Sequence, residues 1–275
     1  MATVAGRIAA HPLTEAIGAR IECDLATLLA PESGPELRRL LVDRGVLLVP
    51  QANLSDEQQV TLASHIGRIR EEGEKGIFKI TLDNKANAQA LYLKGSMNWH
   101  MDGTHDTVPV FGSLLSGRVL SREGGQTEFA NSYAAYDALP QAMKDRIADL
   151  RVEHSFAVSM ERCGVERTPE TAAHWDSIPL QQHALVWTHA SGRKSLVIGC
   201  HASHVVGMDR AESDALLAEL MDWVTQPRFT WRHEWTVGDL LIWDNTGVLH
   251  RALPYPIGSG RMMHRTTLLG EEAFS

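Results

Sequence analysis

From residue 108 onward the chain is written as short apolar runs separated by turn residues, and this punctuation restricts its fold more than any other feature. Residues 111–120, 126–130, 150–155, 184–188, 195–198, 229–235 and 239–243 each read as a strand, with Gly124-Gly125 and Ser191-Gly192 as turns between them. One helical stretch interrupts at 133–147. A second covers 210–224, with Asp209 as N-cap, Glu212 three residues later, and Leu216, Leu217, Leu220 and Trp223 on its buried side. Upstream, 17–25 alternates like a strand, 35–43 looks helical, and 45–50 is a buried-strand pattern ended by proline. Ser55-Asp56-Glu57-Gln58 is a capping box opening a helix to about His65, with Gly67 as its stop. Many short strands and few helices favour a mainly β fold, a double-stranded β-helix (jelly-roll) barrel with flanking α-helices. No repeat, low-complexity tract or linker divides the chain, so 1–275 reads as one domain.

A chain of 275 residues can bury a substantial core. Its formal charge of −8 argues against a nucleic-acid partner, which would call for a basic excess. No run approaches the roughly 18–20 apolar residues of a membrane span. The first seven residues lack the apolar centre of a signal peptide. Cys23, Cys163 and Cys200 are widely spaced and suit reduced thiols, so a cytoplasmic protein is expected. Residues 70–95 stand apart: Glu71-Glu72-Gly73-Glu74 and Asp83-Asn84-Lys85 are polar and turn-rich, and the segment is either a surface excursion or a lid over a pocket.

Residues that carry chemistry are split along the chain. In His100-Met101-Asp102 the two-residue period of a strand would put an imidazole and a carboxylate on one face. With 13 histidines in the chain, that pair alone also fits an ordinary surface pair. Its context is more informative. Trp99 precedes it, and far downstream the apolar strand Leu240-Leu241-Ile242-Trp243 runs into Asp244-Asn245 and then His250. Such a strand would present His250 just beyond a rigid element, 148 residues after Asp102 (250 − 102). Two histidines and one carboxylate hold a non-haem Fe(II) on one face and leave other positions open. A barrel lets segments so distant converge at its mouth. Arg261, eleven residues beyond His250, could grip the carboxylate of an organic acid, and Arg265 lies four further on, on the same strand face.

Taken together, Trp99-His100-Met101-Asp102, Gly124-Gly125-Gln126-Thr127, Trp243-Asp244-Asn245 with His250-Arg251-Ala252, and Arg261 to Arg265-Thr266-Thr267 resemble the taurine dioxygenase and 2,4-dichlorophenoxyacetate dioxygenase family. The likeness covers residues 13–270, and 124–139 with 207–209 onward look most like aryloxyalkanoate dioxygenases. The resemblance implies Fe(II), 2-oxoglutarate as co-substrate, and O2. It also implies iron ligands His100, Asp102 and His250, with Thr127 and Arg261 on the distal carboxylate of 2-oxoglutarate. Because Asp102 retains the carboxylate, halogenation, which needs a small residue there, is not expected.

On the substrate side Arg265 matches relatives that bind an acidic group. Ser96 stands where relatives place an asparagine near the substrate, with Asn98 as its candidate substitute. Tyr92, Met97, His201 and His204 complete the candidates for the pocket, while His105, His154 and Trp187, Trp223, Trp231 and Trp235 read as ordinary packed residues. The implied reaction is hydroxylation of a small-to-medium anionic organic acid, with ether or sulfonate cleavage where the carbon bears such a group, releasing succinate and CO2. Alternatives are desaturation, epoxidation or rearrangement of a natural-product acid, or, in another class, a non-catalytic metal-binding β-barrel. The resemblance further implies a homo-oligomer, dimer or tetramer, with no membrane partner.

Overall fold

A computed structural model describes residues 7–87 and 89–274. Residues 1–6, which carry most of the N-terminal stretch read for a leader, residue 88 of the 70–95 segment, and Ser275 lie outside the described residues.

Seven strands form the larger sheet, in the order Ala9–Pro12, Ala19–Glu22, Val46–Val49, Leu240–Asp244, Gly112–Val119, Met262–Leu268 and Phe78–Ile80. Every neighbouring pair is antiparallel except Ala19–Glu22 against Val46–Val49. A three-stranded sheet, ordered Thr230–His233, Thr127–Asn131 and Val248–Ala252, packs on one face of it. The unbroken apolar run 240–243 within Leu240–Asp244 follows from burial on both sides, as a central strand requires. Leu240 and Ile242 point to Leu37, Leu41 and Leu62 of the helices Ser33–Arg44 and Asp56–Ile66. Leu241 and Trp243 point the other way, to Phe129 and Val248 of the smaller sheet. Beyond the smaller sheet, the helix Arg210–Val224 buries Leu216 and Leu220 in a cluster with Ala130 and Leu249. The layers are therefore helices, large sheet, small sheet, helix: a mainly β architecture with flanking helices.

Local signals worked where the residues responsible are close in sequence. Ser55 and Gln58 form the expected reciprocal capping box, and Gly67 caps the far end of that helix. The Asp209 carboxylate accepts from the Ala211 and Glu212 N–H groups. Trp187 is fully buried, and Trp223, Trp231 and Trp235 pack partly buried against the cores.

Elsewhere the expectations need correction. The stretch 133–147 is two helices, Ser132–Asp137 and Gln141–Ile147, because Pro140 has no N–H to continue the first and, at a ψ of 144°, stands as the N-cap of the second. Residues 184–188 divide at Leu185 into two strands of different sheets, Gln181–Ala184 and Val186–Thr188. Pairing over 17–25 is confined to Ala19–Glu22, since Asp24 caps the short helix Leu25–Leu29. The segment 70–95 has more order than its composition suggests. It contributes the edge strand Phe78–Ile80 and a 3-10 helix over Tyr92–Met97. Among the described residues no helix is long and apolar enough to cross a membrane, and the three cysteines are unbridged.

Candidate active site

A cavity of about 210 Å³, room for a small organic molecule, opens between the two sheets. One wall is made by the two halves of the split motif. His100 and His250 face each other across an antiparallel backbone bridge, with each N–H donating to the other's carbonyl at 3.1 and 3.0 Å. This bridge sets their rings 4.1 Å apart, centre to centre. His250 lies within the strand Val248–Ala252, on a residue that pairs with Phe129.

The expectation that His100 and Asp102 share a strand is not met: beyond the single bridge at His100 the chain turns, with Gly103 at a φ of +80°. Asp102 reaches the same point by another route. Its backbone N–H donates to Asn245 Oδ1 at 2.8 Å, and Asn245 Nδ2 donates to the carbonyls of Asp102 and Val110 at 2.9 and 3.0 Å. Asn245 is fully buried and acts as a staple that fixes the Asp102 turn against the end of the strand Leu240–Asp244. The sequence displayed it in Trp243-Asp244-Asn245 but gave it no task.

His100 Nε2 stands 3.6 Å from Asp102 Oδ1, and His250 Nε2 stands 3.7 Å from Asp102 Oδ2. One donor atom from each of the three lies within 4.8 Å of the others. The His100 Nδ1 atom pairs with the Asn98 carbonyl at 2.8 Å, which makes Nδ1 the protonated nitrogen and leaves the Nε2 lone pair facing the cavity. Burial pushes the His250 pKa down to about 3, with His100 adding to it, so the ring is neutral at physiological pH. Burial would raise Asp102, but His250, Arg265, His100 and His105 outweigh it and hold the carboxyl at about 2. Asp102 Oδ2 is buried with no hydrogen-bond partner. Two imidazoles, that of His250 neutral, and an ionised carboxylate with an oxygen that accepts no hydrogen bond, all brought to one point, fit a divalent cation.

Asn245→Ala should therefore weaken Mn(II) or Fe(II) binding by about tenfold to a hundredfold without touching a ligand. A titration showing less than a threefold change would remove the staple role.

The same cavity is also lined by cations. Arg261 is 3% exposed, lies with its guanidinium carbon 4.6 Å from the Tyr255 ring centre, and donates from Nη2 to the Gly125 carbonyl at 3.1 Å. Burial lowers its pKa, yet a guanidinium stays protonated. Among the described residues it pairs with no carboxylate. Gly125 is required beside it, since a Cβ there would lie 2.9 Å from Arg261 Nε and the backbone has a φ of +79°. Thr127 lines the same end of the cavity and accepts a hydrogen bond from Trp235 Nε1 at 3.0 Å.

Arg265 lines the cavity beside Asp102. Its Nη1 is 3.5 Å from Asp102 Oδ2 and its Nη2 is 3.5 Å from Glu72 Oε1, while its Nε is buried and unpartnered. Glu72, read only as part of a polar turn, also accepts from the Thr267 hydroxyl.

The remaining candidates divide. Tyr92, Ser96 and His201 line the cavity. Ser96 spends its hydroxyl on the Leu93 carbonyl at 2.7 Å. Both nitrogens of His201 are engaged, one by the Met101 N–H at 3.2 Å and the other by His154 Nδ1 at 2.8 Å. Asn98 is not among the lining residues: its side chain donates to Cys163 Sγ at 3.1 Å, while its backbone carbonyl meets His100 Nδ1. Met97 and His204 are not among the lining residues. Sequence reading missed the apolar wall supplied by Phe156 and Met160, which lie on the unread helix Phe156–Arg162.

This constellation agrees with what the chain is similar to. Residues 9–267 match the family model described as "Taurine catabolism dioxygenase TauD, TfdA family". The alpha-ketoglutarate-dependent 2,4-dichlorophenoxyacetate dioxygenase of Cupriavidus pinatubonensis is 36% identical over 284 residues, covering 96% of this chain and 98% of that protein. The (S)-phenoxypropionate/alpha-ketoglutarate-dioxygenase of Sphingobium herbicidovorans is 33% identical, over 86% of each. The crystal structure of AAD-2 in complex with Mn(II) and N-oxalylglycine superposes with a TM-score of 0.84 at 32% identity, covering 98% of this chain and 100% of that one. The protein is an Fe(II)- and 2-oxoglutarate-dependent dioxygenase that consumes O2. It belongs to the TauD/TfdA family.

Proposed function

We propose that this dioxygenase hydroxylates a small aryloxyalkanoate-type acid at the carbon bearing the ether oxygen, releasing succinate and CO2. The hydroxylated product then collapses to a phenol and a carbonyl acid, with the carbon–oxygen bond breaking and the hydroxyl proton passing to the phenolate. The observation that carries the class is Arg261: a buried cation with no carboxylate partner among the described residues, lining the same cavity as a three-ligand cluster. The substrate class draws support from the relatives that act on 2,4-dichlorophenoxyacetate and phenoxypropionate, and from the aromatic and apolar wall of Tyr92, Phe156 and Met160.

In this reading His100, Asp102 and His250 hold the iron, and Arg261 with Thr127 grips the distal carboxylate of 2-oxoglutarate. When bound, the metal with 2-oxoglutarate and O2 supplies the oxidising power. The protein's own residues supply position. Arg261 offers a planar fork of charge-assisted donors. Arg265 retains an unpartnered buried Nε, and so still has a donor for a substrate carboxylate while held by Glu72 and Asp102. Phe156 and Met160 keep water from the carbon to be oxidised.

Succinate release should be stimulated by phenoxyacetates above alkyl sulfonates and sulfate esters. A panel in which only neutral compounds stimulate it would overturn the assignment. Arg265→Ala should raise the substrate KM by at least about tenfold, as expected for loss of one charged hydrogen bond. The KM for 2-oxoglutarate should change much less. Equal increases in both would deny Arg265 its substrate role.

The same reading takes the two packed sheets as the halves of a double-stranded β-helix and residues 1–275 as one dioxygenase domain. It takes 70–95 as a lid, supported by Tyr92, Leu93 and Ser96 on the cavity wall and by Glu72 on Arg265. Protection of 70–95 from protease on substrate addition tests the lid, and light scattering tests the expected dimer or tetramer.

A further inference from the structure

We infer that Trp235 is a positioning residue for co-substrate binding: its indole N–H fixes the direction in which the Thr127 hydroxyl donates. The inference rests on the reading above that Thr127 meets the distal carboxylate of 2-oxoglutarate. An indole N–H can only donate, whereas a hydroxyl can do both. With Trp235 Nε1 3.0 Å from Thr127 Oγ1, the hydroxyl oxygen must accept there, and its own proton must point elsewhere.

Among the described residues that proton meets no acceptor, although Thr127 is 5% exposed and lines the cavity. A carboxylate, which only accepts, is the complement of a hydroxyl polarised in this way. Without the indole the hydroxyl could rotate and offer its lone pairs to the incoming anion, so Trp235 removes an unproductive orientation before the ligand arrives.

The indole is itself held. His233 meets its ring edge-on at 4.7 Å between centres, and a Cβ at Gly117 would lie 3.2 Å from Trp235 Cε3, so little room remains for the ring to swing. His233 in turn pairs with Asp239 at 3.1 Å. Trp235 does not line the cavity; it acts only through Thr127.

The test is a double-mutant cycle read as binding, with no turnover. 2-Oxoglutarate is titrated calorimetrically into the Mn(II)-loaded protein for the wild type, Trp235→Phe, Thr127→Val and the double variant. Phenylalanine keeps most of the ring and deletes the donor, and valine keeps the shape of threonine. Trp235→Phe should raise the Kd by about threefold to tenfold, the scale of one hydrogen bond, and Thr127→Val by at least as much. The double variant should bind no worse than Thr127→Val alone, because the indole has nothing left to orient. Substrate KM should stay within twofold in Trp235→Phe.

Independent multiplication of the two effects, or a Trp235→Phe Kd within twofold of wild type, overturns the inference and leaves the role of Thr127 standing. A Thr127→Val variant with unchanged Kd overturns both. Should Trp235→Phe fold poorly, the indole N–H resonances of Thr127→Val decide: one should move on loss of its acceptor, and an unchanged set refutes the contact.

Discussion

Replacing Arg261 with methionine should weaken 2-oxoglutarate binding by about a hundredfold to a thousandfold, the cost of truncating one partner of a buried, hydrogen-bonded charge pair. The same change should leave thermal stability nearly unaltered. These two expectations have one cause. Arg261 is buried without a carboxylate among the described residues, so the free protein carries the cost of desolvating a guanidinium and gains only the hydrogen bond to Gly125 and the contact with Tyr255. Methionine removes the charge, keeps much of the apolar volume, and leaves one carbonyl unpartnered, a change of about 1–2 kcal/mol at most. Calorimetric titration of 2-oxoglutarate together with a melting curve separates the two effects. If the variant unfolds early and still binds 2-oxoglutarate with near-native affinity, Arg261 is a structural cation and the anion-binding wall has been misread.

Arg261 also illustrates which parts of the site could be read from sequence. Its distance from His250 and its residue type suggested an anion grip, but its lack of a carboxylate partner among the described residues is a three-dimensional fact. The helix Arg210–Val224 could be read to its cap because Asp209 and Glu212 act within one turn. The bridge that sets His100 beside His250 joins residues 150 apart (250 − 100), and no local pattern encodes it. Asn98 shows the same limit. Placed next to the motif, it looked available to the substrate, yet its backbone carbonyl meets His100 and its side chain donates to Cys163. The helix Pro169–Ser177 escaped notice because its capping box uses Thr168 with Thr171 in place of the usual glutamate or glutamine. Asn245 was visible as a residue and invisible as a staple, since what it holds is the backbone of Asp102 across 143 positions.

Acid should begin to destabilise this protein as soon as the pH falls below about 6.5, through its buried histidines. His154, His201 and His250 are buried, and burial is the first cause that lowers each pKa, with neighbouring imidazoles second. His154 and His250 fall to about 3, and His201 falls well below its ordinary value. In the unfolded chain each titrates near pH 6.5. Below that pH the unfolded state takes up three protons that the folded state refuses, so stability is present above pH 6.5 and is lost as pH falls. Three protons correspond to about 4 kcal/mol per pH unit. Asp244 acts in the opposite sense: burial raises it to about 6, so the folded state gains a proton as the pH falls past that value and offsets one of the three. His105, His183 and His189, also lowered chiefly by burial, act with the larger group. Against a typical total of 5–15 kcal/mol, a slope of this size brings the metal-free protein to its midpoint at about pH 3–5. Mn(II), which binds only the deprotonated His100 and His250 pair, should move that midpoint downward. Melting temperatures from pH 8 to 4, with and without Mn(II), give the result. A flat profile down to pH 5 would mean that the histidines behind the cavity are hydrated or already charged in the folded protein, and that the neutral His250 on which the metal wall depends is not neutral at all.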